Sequence, residues 1–487
     1  MSTPRHQRTL TEERAQNRFR LVGPKQDELI EEREYLSGPR GALAHLMVQL
    51  HGRLVDTERL PFVVVHYGDS HSQAGRFSDA MRTRLFDKAN SPGYISHRFP
   101  YAWNASTTKS SGWRRQNWLR RDDIPPYGPL GIAFVAQDAG ETIAVKLSDR
   151  KRPDGSTRIT VFYDSTAEHR GFSLDADGVE KRVVKHGTVA GPESTDNPFL
   201  VEPDSDTTLA AVTLEVSRRT KTITLTTDGG KEDAQLRVFG FLIQYEQAHA
   251  EWDVLAIAGT TIDSVMKRGD GSVEAYLAFR QPNLFVAWYG TNSLNNPKLD
   301  AEKYAGRYRA FMDRFAAAAP QAACLVVGPP DFMKRDRDCF LTASQRRARR
   351  KRNSASRRIL RKNKRQRVCE PDLLIDHKKR GRYRFPVPDV RTMAQWAEHK
   401  VACEYKTRPL MEAVIEQQKR IAHAAGCLYF DTYAYMGGPG SIKKWACDED
   451  PQLASLDLIH LTASGYRKLG EDLVRAINEA SSRENLP

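Results

Sequence analysis

Residues 61–73 read Pro61-Phe62-Val63-Val64-Val65-His66-Tyr67-Gly68-Asp69-Ser70-His71-Ser72-Gln73. The run Phe62 to Tyr67 is short, apolar and β-branched, which suits a strand buried on both faces of a parallel sheet. Gly68 ends it. From Gln73 the pattern turns helical, with Phe77, Met81 and Leu85 at i, i+4 and i+8. A strand, a tight turn carrying Ser70, and a helix therefore follow one another.

The same rhythm recurs downstream. Val254 to Ala258 ends at Gly259, Leu284 to Tyr289 at Gly290, and Ala323 to Val327 at Gly328-Pro329-Pro330-Asp331. Helices are expected over 301–318, 390–425 and 462–480, with a short strand at 428–430. Alternating strands and helices imply a doubly wound α/β sheet. In such sheets the ligand site lies at the carboxyl ends of the strands.

Between Gly128 and Glu246 the pattern changes. Alternating runs such as Ile143-Val145-Leu147, Ile159-Val161-Tyr163 and Val212-Leu214-Val216 follow at short spacing, with no amphipathic helix between them. This is the pattern of an all-β sandwich, set into the α/β fold. The expected division is a polar and helical lead-in (1–58), a first α/β part (59–127), the inserted sandwich (128–248) and a second α/β part (249–487).

The chain has 487 residues and a formal charge of +14. The charge is local. Between Lys334 and Arg384, 21 Lys and Arg stand against 5 Asp and Glu, and the rest of the chain carries 54 against 56. The insertion 334–384 reads as a solvated loop, or as a patch for an anionic polymer or surface. Its basic core offers no aromatic platform for bases until Tyr383, which argues against nucleic acid. No apolar run approaches the length of a membrane helix. The six cysteines form no C-x-x-C pair and point to no metal.

At the expected strand ends stand Ser70, Gly259, Asn292 and, before the last helix, Asp457 and His460. Ester hydrolysis needs these types. A serine hydroxyl attacks only when a base takes its proton. His460 is the candidate base, and Asp457, three residues earlier, the group that fixes its tautomer. The Ser70 and Gly259 amides and the Asn292 side chain are candidate oxyanion donors. Blander readings stand beside these: Asn292 as a helix cap, Gly259 as a turn glycine, Asp69 as a turn residue, His71 as packing. Trp103, Trp113 and Trp118 follow the first α/β unit; aromatic faces suit sugar rings, and Trp is as often core.

The blocks Gly68-Asp69-Ser70-His71, Gly259, Gly290-Thr291-Asn292 and Asp457-Leu458-Ile459-His460 fall in order, and together they resemble the SGNH (GDSL-type) hydrolase superfamily. The resemblance covers about 55–115, 250–333 and 385–480. It implies a flavodoxin-like three-layer α/β/α fold and Ser–His–Asp hydrolysis with no metal or cofactor. The position of the β insertion, with Gly328-Pro329-Pro330-Asp331 and the stretch Met436 to Ser441, is similar to bacterial peptidoglycan O-acetylesterase-like members. Trp103 and Trp113, for their aromatic faces, and Asp331, for its place after a strand end, are candidate substrate contacts. The narrower likeness implies hydrolysis of a short acyl ester, most simply acetyl, on a carbohydrate or cell-wall glycan; the alternatives are acyl transfer to a sugar hydroxyl by the same residues, or a protein that binds a glycan or anionic polymer with the basic insertion as the binding element. It also implies the cell envelope, whereas the polar N-terminus, without an apolar leader, points to the cytoplasm.

Overall fold

The computed structural model describes residues 35–55, 60–86, 90–96, 105–117, 126–148, 152–164, 169–184, 209–229, 234–268, 271–334, 368–369 and 405–486. Trp103, Trp118, residues 390–404 and the basic insertion apart from Lys334, Val368 and Cys369 lie outside them.

Strand Phe62–Gly68 is buried at all seven positions and lies near the middle of a seven-stranded sheet. Across that sheet the strands run Leu36–Ser37, Leu428–Phe430, Ala323–Val327, Leu284–Trp288, Phe62–Gly68, Ala250–Ala256 and Asn90–Ser91. Leu36–Ser37 is antiparallel to its neighbour, and every other pairing is parallel. Numbered along the chain, the five central strands stand in the doubly wound order 2-1-3-4-5. The order reverses between Phe62–Gly68 and Leu284–Trp288, so a crevice opens past their carboxyl ends.

Side chains alternate across the sheet. Val64, Val254, Val286 and Leu325 pack with Leu43 and Leu46 of helix Arg40–Val55, Phe77 and Met81 of Arg76–Leu85, and Leu469 and Leu473 of Ala463–Arg483. Val65, Leu255, Phe285 and Val326 face the other way, onto helices Ser272–Arg280, Ala301–Ala318 and Met411–Ala424. The sheet thus lies between two helical layers. Cys324 and Cys427 form a disulfide beside it, and Cys369 is bonded to Cys447.

Between the first two parallel strands the chain forms two antiparallel sheets, one of five strands and one of six. They include every alternating run identified above, for example Thr142–Leu147, Thr157–Asp164 and Leu209–Val216. They also take Gly93–Ile95, Ala105–Lys109 and Arg114–Asn117, ahead of the expected start at 128. Those strands read Gly-Tyr-Ile, Ala-Ser-Thr-Thr-Lys and Arg-Arg-Gln-Asn, too short and polar to show alternation.

The junction between the two parts is built on charge. Arg280 Nε lies 2.6 Å from Asp253 Oδ2, and its Nη2 lies 2.8 Å from Glu251 Oε2, all three side chains being almost fully buried. Asp253 also accepts from the Tyr276 hydroxyl (2.8 Å) and the Tyr94 N–H (2.9 Å), and Glu251 accepts from Gln244. Tyr94 and Gln244 come from an antiparallel sheet, Glu251 and Asp253 from the parallel one. Every oxygen of the two buried carboxylates thus has at least one donor, the condition under which a buried ion pair is tolerated.

Candidate active site

Strand Phe62–Gly68 delivers Asp69 and Ser70 into the crevice. Asp69 caps the short helix Ser70–Gln73, its Oδ1 accepting the His71 N–H at 3.0 Å. The turn must be tight at Gly68: a Cβ there would stand 2.3 Å from Ser72 Oγ. Ser72 Oγ is fixed in turn by His66 Nε2 (3.0 Å), and His66 Nδ1 meets Ser78 Oγ (2.9 Å). Burial pushes the His66 imidazole down to about 3, so it stays neutral beneath the turn.

The Ser70 hydroxyl reaches His460 Nε2 at 2.9 Å, and His460 Nδ1 reaches Asp457 Oδ2 at 2.8 Å. A carboxylate accepts only, so Nδ1 carries the ring proton and Nε2 is free to accept from Ser70. The other oxygen of Asp457 takes the backbone N–H groups of Ile459 (2.9 Å) and His460 (3.0 Å). This fold-back places Leu458 at φ 57°, with its side chain fully buried. The hydrogen bond that His460 Nδ1 donates to Asp457 raises the His460 pKa against the opposing effect of burial. For Asp457, burial pulls upward, but the His460 side chain and the two backbone donors prevail and hold it below its ordinary value.

His71, next to Ser70, is buried. It stacks on Trp288 (ring centres 5.5 Å apart), hydrogen-bonds Tyr466 through Nδ1 (2.9 Å), and lies 5.4 Å from the His460 ring. Burial and the nearby His460 push its pKa down to about 3. It therefore supports the His460 ring from below as a neutral group.

Gly259 adopts φ 84° and is exposed, with open space where a Cβ would be. Gln73 accepts the neighbouring Ala258 N–H at 2.8 Å. Among the described residues the N–H groups of Ser70 and Gly259 have no hydrogen-bond acceptor. Asn292 comes from the short helix Thr291–Leu294. Its Nδ2 donates to Asp69 Oδ2 (3.1 Å) and to the Thr260 carbonyl (2.9 Å). The loop before it is held from behind by Gln418, which donates to the Tyr289 carbonyl and touches the Tyr304 hydroxyl, both at 2.8 Å.

Five sequence candidates therefore meet at one rim: Ser70, His460, Asp457, Gly259 and Asn292. Two do not reach it as free contacts. Trp113 is 2% exposed and packs in the apolar cluster, so its face is not open to a sugar. Asp331 is buried, and its carboxylate takes the Thr407 hydroxyl (2.8 Å) and the Ile442 N–H (3.1 Å). It ties the end of strand Ala323–Val327 to the start of helix Ser441–Cys447, a structural duty. Gln418, Tyr466 and the His66–Ser72–Ser78 group were not singled out in the sequence, since nothing in a buried polar residue's neighbours tells which loop it braces. Among the described residues no cluster of His, Cys, Asp and Glu is arranged to hold a metal, and no helix is long and apolar enough to cross a membrane.

No family model and no curated protein matches the chain. Among solved structures, one of a peptidoglycan O-acetylesterase superposes with a TM-score of 0.59 at 16% identity, covering 90% of this chain and 96% of that one. A GDSL-like lipase from Parabacteroides merdae (11% identity, 47% of this chain and 74% of that one) matches at a TM-score of 0.26. A family two carbohydrate esterase from Clostridium thermocellum (11% identity, 46% and 78%) matches at 0.17. Scores this low carry no argument, so the comparison rests on the first. In fold this chain is similar to that peptidoglycan O-acetylesterase over nearly its whole length.

Proposed function

We propose that the protein is a serine esterase of the SGNH type that removes a short acyl group, most simply acetyl, from a carbohydrate or cell-wall glycan. The observation that carries this is the continuous line from Ser70 Oγ through His460 to Asp457, at 2.9 and 2.8 Å, placed where the strand order reverses. Ser70 attacks the acyl carbonyl while its proton passes to His460 Nε2. The Ser70 and Gly259 N–H groups, aided by Asn292, receive the negative charge that develops on the carbonyl oxygen. His460 then returns the proton to the departing sugar oxygen, leaving an acyl-serine. Water, deprotonated by His460, attacks the acyl-serine; the carboxylic acid leaves and Ser70 regains its proton.

On this reading the parallel sheet is a flavodoxin-like catalytic unit, and the antiparallel sheets, which run from Gly93 to Tyr245, are an inserted carbohydrate-binding-like sandwich that begins ahead of the expected 128. The two disulfides among the described residues favour an oxidising compartment such as the cell envelope. The basic insertion 334–384 would hold an anionic polymer near the site. The test is cleavage of p-nitrophenyl acetate and acetylated glycans by wild type and Ser70→Ala. Wild type alone should be active, and equal rates in the two would overturn the proposal. Acyl transfer to a sugar hydroxyl uses the same machinery and is distinguished by adding a sugar acceptor and identifying the product.

A further inference from the structure

Asn292 Nδ2 has two hydrogens, and they face two acceptors: Asp69 Oδ2 at 3.1 Å and the Thr260 carbonyl at 2.9 Å. In this arrangement neither hydrogen is left for an oxyanion. The Thr260 carbonyl cannot change its character, but Asp69 can. Its carboxyl is 1% exposed, next in sequence to Ser70, and among the described residues no cation of fixed charge is bonded to it. We propose that Asp69 is a proton-dependent latch on Asn292: ionised, it holds the amide away from the reacting carbonyl, and protonated, it releases a hydrogen to the oxyanion. The idea rests on the esterase reading above and adds a control to that same site.

Two physical arguments support it. A hydrogen bond to a carboxylate is roughly twice as strong as one to a neutral acceptor, so protonation loosens the hold. An oxyanion forming beside an ionised Asp69 would also place two negative charges close together in a dry site, which favours the protonated acid during the reaction. The groups around Asp69 fit this. They are His71 on its own turn, His460 with Asp457 behind it on the facing loop, Tyr466 on the last helix, and Tyr289 and Tyr304. Burial pushes Asp69 up to about 7, with the His71 N–H, His460 and Asn292 pulling the other way.

Wild type, Asp69→Asn, Asn292→Ala and Ser70→Ala decide it. Asparagine at 69 keeps the shape and one acceptor but has no charge. Wild-type kcat/KM on p-nitrophenyl acetate should rise as His460 loses its proton, then fall on the alkaline side by up to about a hundredfold, the scale of one lost oxyanion donor. Asp69→Asn should keep the rise, moved to lower pH because a negative neighbour of His460 is gone, and lack the fall. Asn292→Ala should be slow throughout and also lack it. A fall that persists unchanged in Asp69→Asn, or no alkaline fall in wild type, overturns the latch. A second readout needs no activity. With 15N-asparagine labelling, the Asn292 side-chain signals, identified by their loss in Asn292→Ala, should titrate near pH 7 in wild type and in Ser70→Ala, and stay fixed in Asp69→Asn. Signals that do not move in wild type also overturn it. Equal rates in Ser70→Ala and wild type would instead overturn the esterase reading, while the labelled amide would still decide the Asp69–Asn292 pair.

Discussion

The Met333 N–H donates to the Leu458 carbonyl at 2.9 Å. Leu458 lies between Asp457 and His460, and Met333 opens a two-stranded ribbon, Met333–Lys334 with Lys406–Thr407, from which the basic insertion departs. The ribbon's inner residue Thr407 bonds Asp331, and the Gly440 N–H bonds Thr407. The root of the insertion is therefore part of the frame that holds the acid and base of the candidate site.

The ribbon separates frame from cargo. Lys334 and Lys406 are partners across it, a spacing that a two-residue Asn-Gly turn closes. Replacing 335–405 by Asn-Gly, with Cys447→Ser, should leave kcat/KM on p-nitrophenyl acetate unchanged at 25 °C. Tm should fall, because Val368 leaves the core and the Cys369–Cys447 bridge is lost. If activity on this small ester disappears while the variant is folded by circular dichroism, the insertion is itself part of the frame of the site.

Asp457→Asn should lower kcat on p-nitrophenyl acetate by about 10⁴, the scale seen when the acid of such a triad is neutralised. KM should change little, since Asp457 acts through His460. Wild-type activity should rise with pH through a midpoint above 6.5, because His460 must lose its proton to act and Asp457 holds that proton on. Any residual acid limb of Asp457→Asn should sit lower. A limb that does not move would remove Asp457 from the role assigned to it.

His66 makes stability depend on pH. Its folded value is about 3, below the ordinary 6.5, so the unfolded chain binds the proton first and stability falls as pH drops below 6.5. Between pH 8 and pH 5 this one group should cost wild type about 2 kcal/mol. His66→Gln should be less stable than wild type at pH 8, with the gap narrowing by about that amount at pH 5 in urea unfolding. Asp69 acts in the opposite sense. Its folded value is raised, so its contribution is full below about pH 4 and is lost as pH climbs through 7.

Arg280→Met leaves Asp253 and Glu251 buried without their cation, and should destabilise by about 3–5 kcal/mol. Restoring neutrality with Asp253→Asn and Glu251→Gln in the same chain should recover part of it. Urea midpoints of the single and triple variants measure this, and an additive loss would contradict the charge argument.

The parallel sheet was legible because the runs Phe62–Val65, Val254–Ala256, Leu284–Trp288 and Ala323–Val327 are apolar and a glycine follows each within three residues; helix Ala301–Ala318 and strand Ala323–Val327 stand where the pattern put them. Ser70, Asp457 and His460 were legible as candidates because each follows a strand or precedes a helix. Three things were not. Ala105–Lys109 and Arg114–Asn117 are polar strands whose pairing comes from partners far along the chain. Asp331 looked available because it follows a strand end, yet Thr407 and Ile442, over seventy residues away, enclose it. Asn292 carries the right side chain, but which acceptors its amide meets depends on Asp69 and Thr260, and spacing says nothing of that.

One apolar cluster runs without a break from the antiparallel sheets, through Tyr94 and Phe162, to Tyr276 of helix Ser272–Arg280 and on to Tyr67 and Phe285 of the parallel sheet. The antiparallel part is thus not a cassette that can be lifted out. Cut at 128 and 248, it would leave behind Gly93–Ile95 and two further strands and expose a greasy seam on both fragments. The two parts should melt in a single calorimetric peak, and a glycan caught on the outer sheets would be felt in the thermal stability of the catalytic crevice.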